Sequence, residues 1–215
     1  MNKETMTVHQ ALSELKVLDA RIHKEMRDLN FAVANKHGNA KISGVPVGEF
    51  VENAKSRYNS VRTLISRRNA IKRAVTGSNA VTKVTVGDVE YTVAEAIDMK
   101  NVGMVYWKTI LSQMETQYDL ARNLANREND KLDARADAYI QSLYDGADMK
   151  NLSDEIRKAR NNFIEAQTVE LVDPVNVVRE MERLRDAVDK FSVNVDSALS
   201  VSNALTAIEV EYETY

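Results

Sequence analysis

An arginine and a lysine one helical turn apart, Arg68 and Lys72, followed by the short polar side chains of Ser78, Asn79 and Thr82, form the group best suited to chemistry in this 215-residue chain. At 100° per residue both cations fall inside or close beside the apolar arc drawn by Phe50, Tyr58, Val61 and Ile65, whereas Lys55, Arg62 and Arg73 lie at its edge or beyond. A buried cation left unpaired is costly, so each needs an anion. That anion is a carboxylate of this protein or of a partner chain, or the phosphate or carboxylate of a ligand. A guanidinium fork, an ammonium and hydroxyl and amide groups at a helix end suit a phosphate, which makes Arg68, Lys72, Ser78, Asn79 and Thr82 the candidate anion-binding residues. No Gly-rich phosphate loop accompanies them.

Other constellations are thin. His9, His23 and His37 recur every fourteen residues and share a helical stripe, but successive members stand about 21 Å apart along a helix and cannot share a metal within one chain. Asp130, Asp133 and Asp137 share a helix face without a histidine and read as solvated positions. The serines lack an elbow motif, and the absence of cysteine removes a thiolate nucleophile and any cysteine metal site. The expectation is a protein without enzymatic activity, metal or cofactor. Tyr106 and Trp107, among Met99, Met104 and Met114, read as core or as an oligomer contact, with ligand stacking as the lesser alternative.

The elements that hold these residues are mostly helical. Apolar spacing predicts a first helix from Val8 through Val33 that ends near Lys36-His37-Gly38, a Gly-punctuated loop or short edge strand over 42–48, and a second helix through Phe50 and Val75 that closes at Gly77. Val84 and Val86, Gly87-Asp88, then Val89 and Tyr91 predict a β-hairpin, and Thr92-Val93-Ala94-Glu95 predicts a capping box. The helix it opens can run to about Tyr144, with a kink at Asn101-Val102-Gly103 and an end at Asp145-Gly146-Ala147-Asp148. A shorter helix covers 152–167, an extended stretch 169–172, and Asp173-Pro174 predicts a helix start. Val177, Met181, Leu184, Val188, Phe191, Val195, Ala198 and Ser202 then form a heptad seam that needs a partner helix.

One nine-residue phrase occurs twice: Ser78-Asn79-Ala80-Val81-Thr82-Lys83-Val84-Thr85-Val86 and Ser202-Asn203-Ala204-Leu205-Thr206-Ala207-Ile208-Glu209-Val210 each stand where helix gives way to strand. The predicted fold class is therefore mainly α, within α+β: a bundle of long antiparallel helices with a small antiparallel sheet made by the central hairpin and the C-terminal strand. The predicted organisation is a single elongated domain over 1–215, with the corners at 78–92 and 202–213 forming that sheet. With Ser78, Asn79, Thr82, Gly87, Thr92, Glu95, Ala96, Ser202, Asn203 and Thr206 in this order, the chain resembles the septicolysin-like family of small helical bacterial proteins. It departs from that family with Val75-Thr76-Gly77-Ser78 where the family tends to have Ile-Asn-x-Thr, and with a longer acidic tail. The resemblance implies a helical α+β fold and no defined activity, and the haemolysin-like name finds no membrane-inserting stretch here.

Charge is unevenly placed. Between Asn53 and Gly87 eight cations stand without one acidic residue in a chain of net charge −3, while ten carboxylates against four cations follow from Glu170 onward. The plain consequence is that the second helix packs along the last with salt bridges at the rim, each worth about 0–1 kcal/mol. The acidic remainder argues against nucleic acid. With no signal-like start and no apolar run long enough for a bilayer, the expected setting is the cytoplasm, without membrane contact. The expected function is a non-catalytic, homo-oligomeric helical binding or interaction protein, because its seams are longer than one small domain covers. The alternative is a protein that sequesters an anionic, nucleotide-like small molecule at the basic corner.

Overall fold

The computed structural model describes residues 1–145, 149 and 152–215. Its elements are β1 (Asn2–Thr7), α1 (Val8–Arg27), β2 (Lys41–Ile42), β3 (Val45–Pro46), α2 (Val47–Val81), β4 (Lys83–Val86), β5 (Val89–Thr92), α3 (Val93–Asp98), a π-helical turn (Met99–Gly103), α4 (Met104–Asn129), α5 (Leu132–Leu143), α6 (Asp154–Gln167), α7 (Val177–Leu205) and β6 (Ala207–Tyr212). The protein is mainly α with a small β component. No described helix is long and apolar enough to cross a membrane. Where the sequence predicts one domain, the chain divides into two compact units, 1–103 with 190–215 and 104–189.

In the first unit α1 and α2 pack together and β6 lies on α2. The core joins Val8, Ala11, Leu15 and Leu18 of α1 to Ala70, Ile71 and Val75 of α2 and to Ile208 and Val210 of β6. The predicted sheet is corrected here. Hairpin and C-terminal strand do not pair; β4 pairs with β5, and β6 pairs antiparallel with β1, Asn2 opposite Tyr212 and Thr7 opposite Ala207. Charge is matched within each ladder: Lys3 of β1 reaches both Glu209 (2.8 Å) and Glu211 (3.1 Å) of β6, and Lys83 of β4 reaches Glu90 of β5 (2.6 Å). The short ribbon β2–β3 fills the stretch read as a loop or edge strand.

The repeated phrase marks one corner built twice. In each copy the first four residues of the phrase form the last helical turn, and its threonine turns the chain into a strand: Thr82 N donates to Ser78 O (2.8 Å) and Thr206 N to Ser202 O (2.9 Å). Each threonine carbonyl then accepts from the first residue of a helix, Val93 N at 2.8 Å and Val8 N at 2.9 Å. Those helices start alike, with Thr92-Val93-Ala94-Glu95-Ala96 and Thr7-Val8-His9-Gln10-Ala11, and both carry a complete capping box. The first copy joins its strands by a two-residue turn in which Gly87 has φ +65°. A side chain there would be strained and would press on Lys190, whose Cγ lies 3.1 Å from where a Cβ would sit. In the second copy the paired strands come from opposite ends of the sequence.

The α3 cap carries a pH signature. Thr92 N donates to Glu95 Oε2 (2.7 Å), and this backbone bond, seconded by the threonine hydroxyl, holds the Glu95 carboxyl below its ordinary value. A depressed carboxyl contributes fully above the ordinary carboxylate range, and the contribution is lost as pH falls through the folded-state value. The melting-temperature gap between wild type and Glu95→Ala, followed by circular dichroism, is therefore expected to narrow between about pH 7 and about pH 3. A constant gap would show that the carboxylate does not act as a cap.

In the second unit α5 and α6 pack against each other. Leu132, Ala136 and Ile140 are buried, Tyr139 stacks on Phe163 at 4.5 Å, and Arg160 bridges Asp133 (2.7 Å) and Asp137 (2.8 Å). Those two aspartates, read as solvated positions, thus carry an internal counter-charge. The Asn129 amide exchanges two 2.9 Å hydrogen bonds with the backbone of Val169, which ties the segment after α6 to the end of α4.

Several predicted boundaries move. The first helix stops at Arg27, and the backbone N–H of Asp28 closes it on the Glu25 carbonyl (3.2 Å). The second runs through Gly77 to Val81, so Gly77 is not its cap. The long helix predicted from Thr92 passes through a π-helical turn at Met99–Gly103, where a Cβ on Gly103 would collide with Met99 Sδ, and breaks before Leu132. Of its predicted end at 145–148, residues 146–148 lie outside the described residues. Asp173 does not open a helix directly; its carboxylate caps Val177 N, at 2.9 and 3.0 Å, where α7 begins. All eight residues of the α7 seam are buried or half-buried.

Candidate functional site

The packed stripe of α2 contains Val61, Leu64, Ile71, Ala74 and Val75, and Arg67 and Arg68 interrupt it. It is turned away from Tyr58 and Ile65, which are exposed, so the predicted apolar arc runs beside the packed face rather than along it. Arg68 lies on the stripe as expected, and its anion is internal: Nε donates to Asp19 Oδ1 of α1 at 3.0 Å. Lys72 lies off the stripe and is exposed, which corrects its predicted burial.

The other predicted residues sit farther along. Ser78 and Thr82 are hydrogen-bonded to each other through their hydroxyls at 3.2 Å, and Asn79 is half-buried beside them. Ten residues of helix separate Arg68 from Ser78, roughly 15 Å at 1.5 Å per residue. The structure therefore gathers Ser78, Asn79 and Thr82 at the corner and leaves Arg68 with α1.

The deepest charge of this region is one the sequence reading passed over. Arg67 extends between α1, β1 and β6: its Nε pairs with Glu14 Oε1, its Nη2 donates to Glu14 Oε2 (3.0 Å), and its Nη1 lies 2.6 Å from Glu4 Oε1 and donates to Tyr212 Oη (2.7 Å). The guanidinium also stands 4.8 Å from the centre of the Tyr212 ring. The Glu14 bond, more than Glu4, raises its pKa above even the usual arginine value. The available signal was the spacing 64, 67, 71, 74, which places Arg67 inside the true stripe. The predicted pairing of the basic helix with α7 is corrected by these contacts, because the partners belong to α1 and β1.

The two corners face one groove of about 440 Å³ between β4 and the last turns of α7. Thr82, Lys83 and Thr85 line it on one side, and Val201, Leu205 and Thr206 on the other. It presents hydroxyls and apolar surface, since the ammonium of Lys83 is turned to Glu90. The equivalent tips of the two corners, Val81 and Leu205, are both largely exposed.

A second apolar surface lies on α4. This helix runs for 26 residues and buries Ala125 alone, while Val105, Tyr106, Trp107, Ile110, Leu120 and Leu124 remain exposed. Tyr106 and Trp107 are thus not core residues of the single chain.

No protein-family profile matches the chain, and a comparison with curated proteins found no match. A solved structure, that of a functionally unknown conserved protein from Corynebacterium diphtheriae, is similar over 95% of this chain and 99% of its own, at 16% identity and a TM-score of 0.40.

Proposed function

We propose that this is a non-catalytic helical interaction protein that works as a homo-oligomer in the cytoplasm. The observation that carries the reading is α4: a long helix whose large apolar side chains, an aromatic pair among them, are left facing solvent in the single chain. Exposed apolar surface of this kind marks interaction sites, and aromatic residues are favoured anchors in them. Membership of the septicolysin-like family belongs to the same proposal, supported by the Thr-x-x-Glu-Ala helix start at Thr92 and the corner at Ser202.

The alternative, sequestration of an anionic nucleotide-like molecule, has weaker support. The Arg68 charge is met by Asp19, and Lys72 stands apart from Ser78, Asn79 and Thr82. Native mass spectrometry and sedimentation velocity between about 1 and about 100 µM, a span over which a micromolar complex dissociates, test the choice. The expected result is a concentration-dependent multiple of the chain mass with no added compound. A single-chain mass throughout, accompanied by a small anionic species released on denaturation, would replace this reading with the alternative.

A further inference from the structure

We propose that α4 pairs antiparallel with α4 of a second copy about a two-fold axis at Glu115, which gives the homo-oligomer proposed above its interface and rests on that reading. Tyr106, Ile110, Gln113, Gln117, Leu120 and Leu124 step by four, three, four, three and four, the 3.5-residue period of a coiled-coil seam. All six are exposed: Tyr106 and Leu120 at 65%, Leu124 at 47% and Ile110 at 39%, with both glutamines also facing solvent.

An ordinary surface helix puts its charges on its exposed side. Here α4 meets solvent on both sides yet along the seam confines its charges to one: Lys108, Glu115, Asp119 and Arg122 all lie within about 40° of the point opposite the stripe, at 100° per residue, and all but Glu115 are exposed there. Glu115 is bound there to Arg185 of α7 in the same unit. The residues flanking the seam are Trp107, Met114 and Ala121 on one side and Thr109, Thr116 and Asn123 on the other. The face is therefore uncharged across its full width, so pairing with itself desolvates no ion and sets no like charges together.

The order of residues identifies the occupant. Read in either direction the seam runs apolar, apolar, glutamine, glutamine, apolar, apolar. Reversal about Glu115 sets Tyr106 against Leu124, Ile110 against Leu120 and Gln113 against Gln117, so apolar layers meet apolar layers and each amide meets an amide that satisfies it. This is the self-complementarity of an isologous two-fold contact. A parallel pair would match the same layers, but the next step of the spacing falls on Arg127, which it would press against its own copy. The antiparallel pair keeps the two arginines at opposite ends and also opposes the helix dipoles. A seam of nineteen residues, about 28 Å long, buries on the order of 1,000 Å² in all, at the low end of specific interfaces, so the dimer is expected to exchange in the micromolar range.

The test is a charge swap read by sedimentation velocity. Ile110→Glu and Leu120→Lys alone are each expected to weaken the dimer about tenfold or more, with unchanged circular dichroism and melting temperature because both sites face solvent. In the antiparallel pair alone, the double variant sets the carboxylate introduced by Ile110→Glu against the ammonium introduced by Leu120→Lys in the other copy. It is expected to recover most of the lost affinity. A parallel pair would stack like charges in the double variant, so continued loss there overturns the antiparallel arrangement. An oligomer that survives both single variants overturns the seam and leaves the homo-oligomer reading standing. A wild type that stays single up to about 100 µM, above the micromolar range expected of so small a contact, overturns both.

Discussion

Ile71→Ala is expected to destabilise the first unit by about 3 kcal/mol in chemical denaturation, while Ile65→Ala six residues earlier costs less than about 1 kcal/mol. Ile71 is fully buried among the core residues of α1, α2 and β6, and Ile65 is 38% exposed. Truncation at Ile71 removes three carbons at about 0.8 kcal/mol each and leaves a cavity that the surrounding helices and strand cannot fully close. The comparison also bears on the site, because the packing around Ile71 is what sets α1 against α2 and brings Glu14 and Asp19 to the arginines. Equal losses at the two positions would mean that the buried face of α2 is misassigned. Hydrogen exchange should locate the Ile71→Ala effect in α1, α2, β1 and β6.

How far each feature was legible in the sequence follows from whether its determinants are local. The α7 seam was legible because an apolar side chain recurs every third or fourth residue from Val177 to Ala198, and each of those positions is buried or half-buried. The hairpin at Gly87 and the cap at Thr92 were legible because a positive φ and a capping box each need particular residues within four positions. The duplicated corner was visible as a repeated phrase, since the same threonine has to leave a helix and enter a strand in both copies. The face of α2 was not legible. Arg67 and Arg68 stand in the middle of its packed stripe, and the carboxylates that make this tolerable, Glu4, Glu14 and Asp19, lie some fifty residues or more away in sequence. The strand β1 was hidden for a related reason. Asn2-Lys3-Glu4-Thr5 has no apolar alternation, and the ladder that makes it a strand, from Asn2 opposite Tyr212 to Thr7 opposite Ala207, joins residues from opposite ends of the sequence. The α4 stripe carried a readable period, but in a single chain nothing distinguishes a seam meant for a neighbouring element from one meant for another copy.

Arg67→Met is expected to cost about 2 kcal/mol, and the size of that loss separates a structural cation from a ligand-binding one. The guanidinium is 20% exposed and its partners Glu14 and Glu4 are 28% and 36% exposed, so the loss falls below the roughly 3–5 kcal/mol of a fully buried broken pair. Methionine keeps much of the side-chain volume, which leaves the two unpaired carboxylates and the Tyr212 hydroxyl as the main source of the loss. Changing the carboxylates as well, in Arg67→Met/Glu4→Gln/Glu14→Gln, should therefore restore most of the stability, since the neutral triple variant has no stranded charge. Because Glu14 holds the arginine above its already high ordinary pKa, the guanidinium itself stays charged until strong alkali, and on that side of neutrality its contribution is lost only there. The loss should appear as faster hydrogen exchange along β1 and β6, where Glu4 and Tyr212 are held. Were Arg67 instead part of a site for an anion, added phosphate or nucleotide would raise the melting temperature of wild type and leave Arg67→Met unmoved. Equal melting shifts in the two proteins, with the triple variant close to wild type, would establish that this charge serves to join the two ends of the sequence to α1 and α2.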